Sequence, residues 1–437
     1  MRKADIIIVT ITLIALIVAG AFSACQTGHI MKEETSPNIY IRVANWDTDA
    51  MPYIPVLIEE FEAAHPGIIV EIIDIPSRDF ETRLSIILNG GIDLDAFWIR
   101  QGDTTKVLAD AGHLADLSCF MRRDGIDLSD FMGLGERFIM NDAIVALPFR
   151  FDYYVLFFNK DIFDAVGEPY PNNDMTWGEY EELVARLTHG SGPGKIYGGF
   201  FHTWQALVQN WGVQHGQQTI MGPDYSFFRP YYEMVLRMQE AGHIMDFGFL
   251  RAGSIHYTSL FYSGTVATMP MGTWFMSMIL GRMEDEGLGF NWGISTIPRS
   301  PNLPMGYTVG SVTPIAISSA SGNKDAAWEF VRFVTSTEGA NILAEYFIIP
   351  SRAWDNYNED TLRGIAEASG MPAGALEALY VANISFDRPM ESKAPEVNQM
   401  LGEIHELIML GEISIDEGLT EMERLSRIIQ TMPTIPR

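Results

Sequence analysis

Residues 39–99 alternate between short β-branched runs and segments with helical spacing of apolar residues. The run at 39–44 is typical of a strand, and the apolar residues after it recur at helical intervals until a Pro-Gly pair. A second β-branched run at 68–75 shows little alternation, which predicts a strand covered on both faces. A helix around 80–88 and a strand at 94–99 continue the pattern. Such alternation predicts an α/β fold with a largely parallel sheet.

Further strands and helices are predicted along the rest of the chain. Strands are expected at 143–148 and 155–159, with Phe151-Asp-Tyr-Tyr154 in the connection between them. Thr176-Trp-Gly-Glu179 and Thr335-Ser-Thr-Glu338 each match a capping box, in which a hydroxyl and a glutamate satisfy free backbone N–H groups where a helix begins. The other predicted elements are helices at 204–210, 230–241 and 324–334 and strands at 294–297 and 312–317.

The composition sets limits on size and partners. With 437 residues the chain exceeds the roughly 100–200 residues of one domain, so more than one core is expected. Its formal net charge of −27 repels nucleic acid and anionic lipid headgroups, so no nucleic-acid partner is expected and membrane association requires an anchor. The charge alone, which keeps a surface soluble, indicates nothing about the ligand.

The N-terminus has the pattern of an export signal. Arg2 and Lys3 precede an uncharged, mostly aliphatic run at 6–24, and the small residues before Cys25 complete a cleavage site. Ser23-Ala-Cys25 resembles a bacterial lipobox, which implies a signal peptide at 1–24 and a lipid on Cys25. Residues 25–37 then form a polar tether that holds the protein at the outer face of the cytoplasmic membrane. An uncleaved transmembrane anchor is the alternative, since about 20 apolar residues can span a bilayer.

Signals of catalysis and cofactor binding are weak. Gly194-Lys195 lacks the other residues of a phosphate-binding loop, so the chain is not its own ATPase. The histidines have no metal-ligand spacing, and two cysteines, Cys25 and Cys119, make no disulfide framework. We therefore expect no cofactor, no metal and no enzymatic activity. A carboxylate pair for glycoside hydrolysis remains open, because acidic residues are abundant and no feature selects two of them.

Aromatic residues cluster at the ends of predicted elements. Ligands of open α/β sheets bind beyond the carboxyl ends of the strands. A sugar offers apolar C–H faces to aromatic rings and hydroxyls to carboxylates. A single tryptophan more often packs in a core, but the set as a whole favours a sugar site. Its members are Trp46, Asp47, Trp98, Asp152, Trp204, Trp211 and Trp274.

Several stretches together resemble one family. In order and spacing they are similar to the bacterial extracellular solute-binding proteins of ATP-driven sugar importers, the group that includes maltose-binding protein, over 39–352. The stretches that carry the resemblance are 58–67, 146–148 with 156–161, 176–179, 261–267 with 272–274, 323–330 and 350–351.

The resemblance implies a type II periplasmic-binding-protein fold, with two hinge-connected lobes and the ligand in the cleft between them. It places one lobe at 38–148 plus 294–335 and the other at 149–293 plus 336–437. Trp98 and Trp274 match stacking residues of the two lobes, and Asp47 and Asp152 match polar contacts.

Two departures from the family pattern argue against maltose as the solute. Gln101 and Gly102 stand where some maltose binders carry an Asp-Arg pair, and no tryptophan stands near Val397.

The expected function is capture of a small solute, a mono- or oligosaccharide, for an ABC-type permease whose separate ATPase subunits supply the energy. The protein is expected to act as a monomer. A non-sugar solute such as a polyamine, peptide or metal complex is one alternative, the last because the adjacent tyrosines at 153–154 and 231–232 could suit a ferric ion. An exported glycosidase is the other.

Overall fold

In a computed structural model of the chain, the structure describes residues 38–285, 287, 289–352, 375–379 and 383–433. The predicted signal peptide at 1–24, the lipid-bearing Cys25 and the tether up to residue 37 lie outside the described residues. Within the described ranges, no helix combines the length and the apolar character needed to cross a membrane.

The strands span both short and long stretches of the chain. They are β1 (Ile39–Trp46), β2 (Ile68–Ile75), β3 (Ala96–Trp98), β4 (Ile139–Met140), β5 (Ala143–Ile144), β6 (Leu147–Asn159), β7 (Thr268–Gly272), β8 (Trp292–Thr296), β9 (Tyr307–Ile317) and β10 (Asn383–Phe386).

The helices separate most of these strands. They are α1 (Tyr53–Ala64), α2 (Phe80–Asn89), α3 (Thr104–Asp110), α4 (Ser118–Asp124), α5 (Lys160–Val166), α6 (Trp177–Leu187), α7 (Ala206–Val213), α8 (Arg229–Glu240), α9 (Phe247–Ala252), α10 (Tyr257–Tyr262), α11 (Trp274–Asp285), α12 (Lys324–Val334), α13 (Thr337–Glu345), α14 (Ala375–Leu379), α15 (Ala394–Met409) and α16 (Ile415–Thr431).

The main sheet is mixed rather than parallel. Its strands follow the order β2-β1-β3-β9-β6-β7, with β10 paired to β9 and β8 paired to β6. The β1–β3 and β9–β10 pairs are parallel, whereas β9 runs antiparallel to β3 and β6 runs antiparallel to β7, β8 and β9. The α/β class is confirmed, but the prediction of a largely parallel sheet is wrong because the long strands β6 and β9 return against their neighbours.

Strand β6 is one continuous strand of 13 residues, every one of them buried. Its first half pairs with β9, and its second half pairs with β7 and β8. Phe151–Tyr154 was expected to connect two strands, and that prediction is wrong because these residues lie inside β6. The joined strand could not be recognised locally, because the charged side chains of Arg150 and Asp152 are buried inside it.

Strand β2 occupies the edge of the sheet, and its only buried residue is Ile75. Glu71 and Asp74 point to solvent. The predicted bounds 68–75 are confirmed, but the expectation that both faces are covered is wrong. Apolar and polar residues alternate little along this strand because its β-branched residues are half-buried against α1. The strand does not lie in the centre of the sheet.

One of the two predicted capping boxes is present. Thr176 Oγ1 accepts a hydrogen bond from the Glu179 N–H, and the Glu179 side chain accepts one from the Thr176 N–H, which begins α6 as predicted. At α13 the N-cap is Ser336, not Thr335, so the third helical residue is Gly339 and no capping box forms. Thr335 instead donates its hydroxyl to the Val331 carbonyl at 2.8 Å.

Candidate binding site

One face of β6 carries Arg150, Asp152 and Tyr154, because alternate residues of a strand point to the same side. Arg150 Nη1 and Asp152 Oδ2 lie 3.3 Å apart, with 7% of Arg150 and 4% of Asp152 exposed. Asp152 Oδ1 also accepts a hydrogen bond from Thr273 Oγ1 at 3.3 Å. Burial raises the pKa of the Asp152 carboxyl, and the positive charge of Arg150 opposes that rise. We call Arg150 and Asp152 the central pair.

The end of β1 reaches the central pair through Trp46. The Arg150 guanidinium carbon lies 5.8 Å from the centroid of the Trp46 ring, within the range of a cation–π contact. The next residue, Asp47, has a left-handed backbone with φ of 42° and turns the chain out of the strand. Its Oδ1 accepts a hydrogen bond from the Ser77 N–H at 3.0 Å. The Trp46-Asp47 dipeptide is therefore fixed beside Arg150.

Four aromatic side chains lie together beside the central pair. We call Tyr154, Trp204, Tyr257 and Trp274 the aromatic wall. The Trp274 ring lies 5.7 Å from Tyr154 and 6.3 Å from Trp204, and Trp204 lies 5.6 Å from Tyr257. The Tyr257 hydroxyl donates a hydrogen bond to Met278 Sδ at 3.5 Å, in the same helix as Trp274. Because each ring contacts at least one other, the wall presents rings in defined orientations.

A glycine sets the position of the Trp274 ring. A Cβ atom added at Gly272 would lie 1.9 Å from Trp274 Cζ3 and 2.2 Å from Cε3. The indole therefore lies directly over the backbone of Gly272, at the end of β7. The following residue, Thr273, donates its backbone N–H to the Tyr153 carbonyl at 2.9 Å and holds this turn against β6.

Charge effects link the end of β1 to the aromatic wall. Burial lowers the pKa of His256, and the negative charge of Asp47 opposes that shift. Burial also raises the pKa of Tyr257, with Asp47 adding to the rise and Arg150 reducing it. Asp47 therefore acts on His256 and Tyr257, and Arg150 acts on Tyr257. The central pair also adjoins Trp274 through the hydrogen bond from Thr273 to Asp152, so Trp46-Asp47, the central pair and the aromatic wall are neighbours.

A second group of buried charges lies near Tyr154. Burial raises the pKa of the Tyr154 hydroxyl, Asp387 adds to that rise and Arg388 reduces it. Burial likewise raises the pKa of Asp103 to about 7, with Arg388 lowering it and Asp387 raising it. Asp103 Oδ2 has no hydrogen-bond partner in the described part of the chain. A carboxyl group from the β3–α3 connection thus meets the segment that follows β10.

Two amides hold the arginine of this group. Arg388 Nε donates to Asn398 Oδ1 at 2.6 Å, and Arg388 Nη1 donates to Asn210 Oδ1 at 3.2 Å. Gln205 Nε2 donates to the same Asn398 oxygen at 3.1 Å. This network connects β10, α7 and α15 beside the aromatic wall.

The chemistry of the site suits a neutral molecule with hydroxyl groups. Aromatic faces bind apolar C–H surface, and carboxylates accept hydrogen bonds from hydroxyls. Across the described ranges, no group of three or more His, Cys, Asp or Glu side chains is arranged to hold a metal ion.

A sequence model of one protein family, described as "Bacterial extracellular solute-binding protein", matches residues 45–341. The chain belongs to the bacterial extracellular solute-binding protein family. The resemblance inferred from the sequence motifs is therefore confirmed.

Solved structures agree with this assignment. A sugar transporter from Rhizobium etli in an open conformation is 34% identical, covers 90% of this chain and 100% of its own, and gives a TM-score of 0.74. A Listeria monocytogenes ABC substrate-binding protein in complex with cycloalternan is 20% identical, with coverage of 91% and 100% and a TM-score of 0.76. A maltose-bound protein from T. maritima is 18% identical, with coverage of 90% and 100% and a TM-score of 0.73.

The fold of this solute-binding protein is the predicted one. Its neighbours are two-lobed substrate-binding proteins, and the α/β, type II periplasmic-binding fold is confirmed. The boundaries of the lobes are not tested by these likenesses and stay a prediction.

The structure brings five of the predicted site residues of this solute-binding protein close to one another. These are Trp46, Asp47, Asp152, Trp204 and Trp274. They come from the end of β1, the middle of β6, the segment before α7 and the start of α11. Their roles in binding stay predictions.

The structure places the other two predicted residues in the core. Trp98 is 1% exposed and packs against Phe149 and Phe330, at ring distances of 5.4 and 5.8 Å. Trp211 is also 1% exposed, donates its indole N–H to the Leu207 carbonyl at 2.6 Å, and packs behind Tyr154 at 5.5 Å. Trp211 can affect a ligand through Tyr154, whereas Trp98 offers no exposed face.

Sequence reasoning missed Arg150, Tyr154 and Tyr257. The alternation Arg150-Phe-Asp152-Tyr-Tyr154 would have placed three polar or aromatic groups on one side, had 147–159 been predicted as a single strand. Nothing local in the sequence marks Tyr257, because it meets Trp274 only through the tertiary fold.

Proposed function

We propose that this protein captures a mono- or oligosaccharide and delivers it to an ABC-type import permease whose ATPase is a separate subunit. It binds the sugar without converting it and acts as a monomer. The observation that carries this proposal is the arrangement of Trp46-Asp47 and the aromatic wall around the central pair. This arrangement offers rings for a sugar face and carboxylates for its hydroxyls.

Two further observations support a sugar over the other solutes. Solved relatives with this fold hold cycloalternan, tagatose and maltose. Tyr153 and Tyr154 lie on opposite faces of β6, and Tyr153 donates its hydroxyl to the Leu379 carbonyl at 2.5 Å. The adjacent tyrosines therefore do not converge on a ferric ion or another metal complex.

The proposed mechanism is closure of two lobes about the long strand β6. We place one lobe at 38–148 plus 294–335 and the other at 149–293 plus the C-terminal residues, with β6 passing from the first to the second. Helix α13 packs on α1, and the Tyr346 ring lies 6.4 Å from Tyr53. We therefore move 336–352 to the first lobe. A ligand that touches both lobes shifts the open–closed equilibrium toward the closed form.

Calorimetric titration of the mature protein with glucose, maltose, maltotriose, mannose, mannotriose, a peptide and spermidine tests the solute class. We expect binding of a sugar, with compaction in X-ray scattering. Trp274→Ala should weaken sugar binding by about 2 kcal/mol or more, as the loss of a buried aromatic anchor does. Tyr40→Ala is the matched control, because Tyr40 is 53% exposed and stands outside the site. Binding of spermidine or the peptide alone refutes the sugar, and release of reducing sugar indicates a glycosidase.

The proposed location depends on Cys25. We propose cleavage after residue 24 and lipidation of Cys25, which would hold the protein at the outer face of the cytoplasmic membrane. Labelling cells with palmitate should mark the wild type and the Cys119→Ser control but not Cys25→Ser, which should leave the membrane fraction. A wild-type protein that stays in the membrane fraction without palmitate label indicates the uncleaved transmembrane anchor instead.

A further inference from the structure

A pocket of about 470 Å³ opens beside Trp204. The segment 202–205 forms one side, the end of α9 and the turn before α10 form the second, and α15 forms the third. Ligand pockets in proteins span about 300–1,000 Å³, so this volume can hold a small molecule.

The pocket is continuous with the candidate site through two residues. Trp204 lines the pocket and also belongs to the aromatic wall, where it lies 6.3 Å from Trp274. His256 lines the pocket as well, and its ring centroid lies 4.0 Å from that of Tyr257 in the aromatic wall. A ligand bound over Trp274 therefore has this pocket as its neighbour.

The α15 side of the pocket carries polar groups suited to hydroxyls. Glu403 is exposed, and its Oε1 accepts a hydrogen bond from Gln399 Nε2 at 3.0 Å, which orients the carboxylate. At the rim, Glu406 binds Arg251 through two hydrogen bonds of 2.9 and 3.0 Å. Gly402 lines the same side, and a Cβ added there would already lie 3.4 Å from Gln205 Nε2.

One buried residue of the lining is a neutral histidine. His405 is 2% exposed, and burial lowers its pKa to about 3. Its Nδ1 lies 3.1 Å from the Tyr232 hydroxyl, which accepts a hydrogen bond from Gln209 Nε2 at 2.9 Å. Its Nε2 has no hydrogen-bond partner among the residues that the structure describes. This side of the pocket therefore carries a polar ring without a positive charge.

We propose that this pocket is a second sugar subsite, so the solute is an oligosaccharide of at least two units. One sugar unit stacks against the aromatic wall. The next unit contacts Trp204, which is 36% exposed, and donates hydrogen bonds from its hydroxyls to Glu403. This inference rests on the proposed sugar-binding function and adds the size of the ligand.

The test compares affinities along two sugar series, glucose to maltotriose and mannose to mannotriose, by calorimetry. In the series that binds, we expect the trisaccharide to bind the wild type at least about tenfold more tightly than the monosaccharide, as one charge-assisted hydrogen bond would give. Glu403→Gln should reduce this ratio by about tenfold, and the matched control Glu412→Gln, outside the pocket, should leave it unchanged. Gly402→Leu fills the pocket and should lower the ratio without any change of charge.

The outcomes separate the two proposals. A wild type that binds monosaccharide and trisaccharide equally, with both pocket variants inert, overturns the subsite and leaves sugar binding intact. A protein that binds no sugar of either series counts against the proposed function and removes the subsite with it. If Gly402→Leu does not fold, the affinity ratios of Glu403→Gln and Glu412→Gln still decide whether the second subsite exists.

Discussion

Gly272→Ala should disable the aromatic wall without removing any of its side chains. The added Cβ would lie 1.9 Å from the Trp274 ring, whereas carbon atoms in contact stand about 3.5 Å apart, so the indole has to move by about 1.6 Å. A shift of that size turns the ring away from Tyr154 and Trp204, whose rings it contacts. The ring is the flexible end of a half-buried side chain, so the fold should survive.

The size of the effect follows from what the ring contributes. An aromatic anchor of a binding site contributes about 2 kcal/mol or more, so we expect an affinity loss of about 30-fold for a sugar that binds the wild type. The lost ring contacts and the crowding together should lower the free energy of unfolding by about 1–3 kcal/mol. Calorimetry measures the first quantity and urea unfolding the second.

Gly281→Ala is the matched control for this prediction. Gly281 lies in α11, the helix that begins with Trp274, and none of the described heavy atoms lies within 4 Å of its added Cβ. Alanine in a helix interior should stabilise the protein by about 0.5–1 kcal/mol and leave the affinity unchanged.

The double variant with Trp274→Ala identifies the cause. Once the ring is absent, Gly272→Ala has nothing to displace, so the second substitution should cost no further affinity. The reasoning is refuted if Gly272→Ala binds like the wild type, or if it weakens binding as much in the Trp274→Ala background as alone.

Three other predictions concern stability. The pKa of Asp103 is raised to about 7 from 3.8, so its ionisation lowers the stability of the folded state as the pH rises from about 4 to 7. Asp103→Asn should therefore stabilise the protein by up to about 4 kcal/mol at pH 8 and lose that gain near pH 4. Urea unfolding at the two pH values measures the difference. Asp152→Ala leaves Arg150 buried without its partner and should cost about 3–5 kcal/mol by the same method. Thr176→Ala removes the N-cap of α6 and should cost about 1 kcal/mol, seen as a lower melting temperature in calorimetry.

Local elements could be predicted where a signal in the sequence was complete within a few residues. The bounds of β2, the helix 324–334 and the capping box at Thr176 were all predicted and are confirmed. At α13 the helix begins one residue later than expected, because Ser336 caps it in place of Thr335. Such shifts arise where two hydroxyl residues are adjacent and either could serve as the N-cap.

The sheet could not be predicted from local patterns because its pairing is set by distant residues. Leu147 pairs with Ile315 and Tyr154 with Gly272, across more than a hundred residues of chain. Strand direction depends on where the chain returns, and β-branched runs look alike in parallel and antiparallel sheets. The same limit applies to the site, where Trp274 could be selected from the sequence but Tyr257, its fellow member of the aromatic wall, could not.

The charges around the site argue for a neutral solute even though the whole chain carries −27. Asp152 is paired with Arg150, and Arg388 stands beside Asp387, so the most deeply buried charges are accompanied by opposite ones. Asp103, the remaining buried carboxyl here, has a pKa of about 7 and is largely protonated at slightly acidic pH. A polyamine would need uncompensated carboxylates at this depth, whereas a sugar needs only acceptors and ring faces. The acidity of the chain therefore belongs mainly to its surface, and the buried site is close to electrical balance.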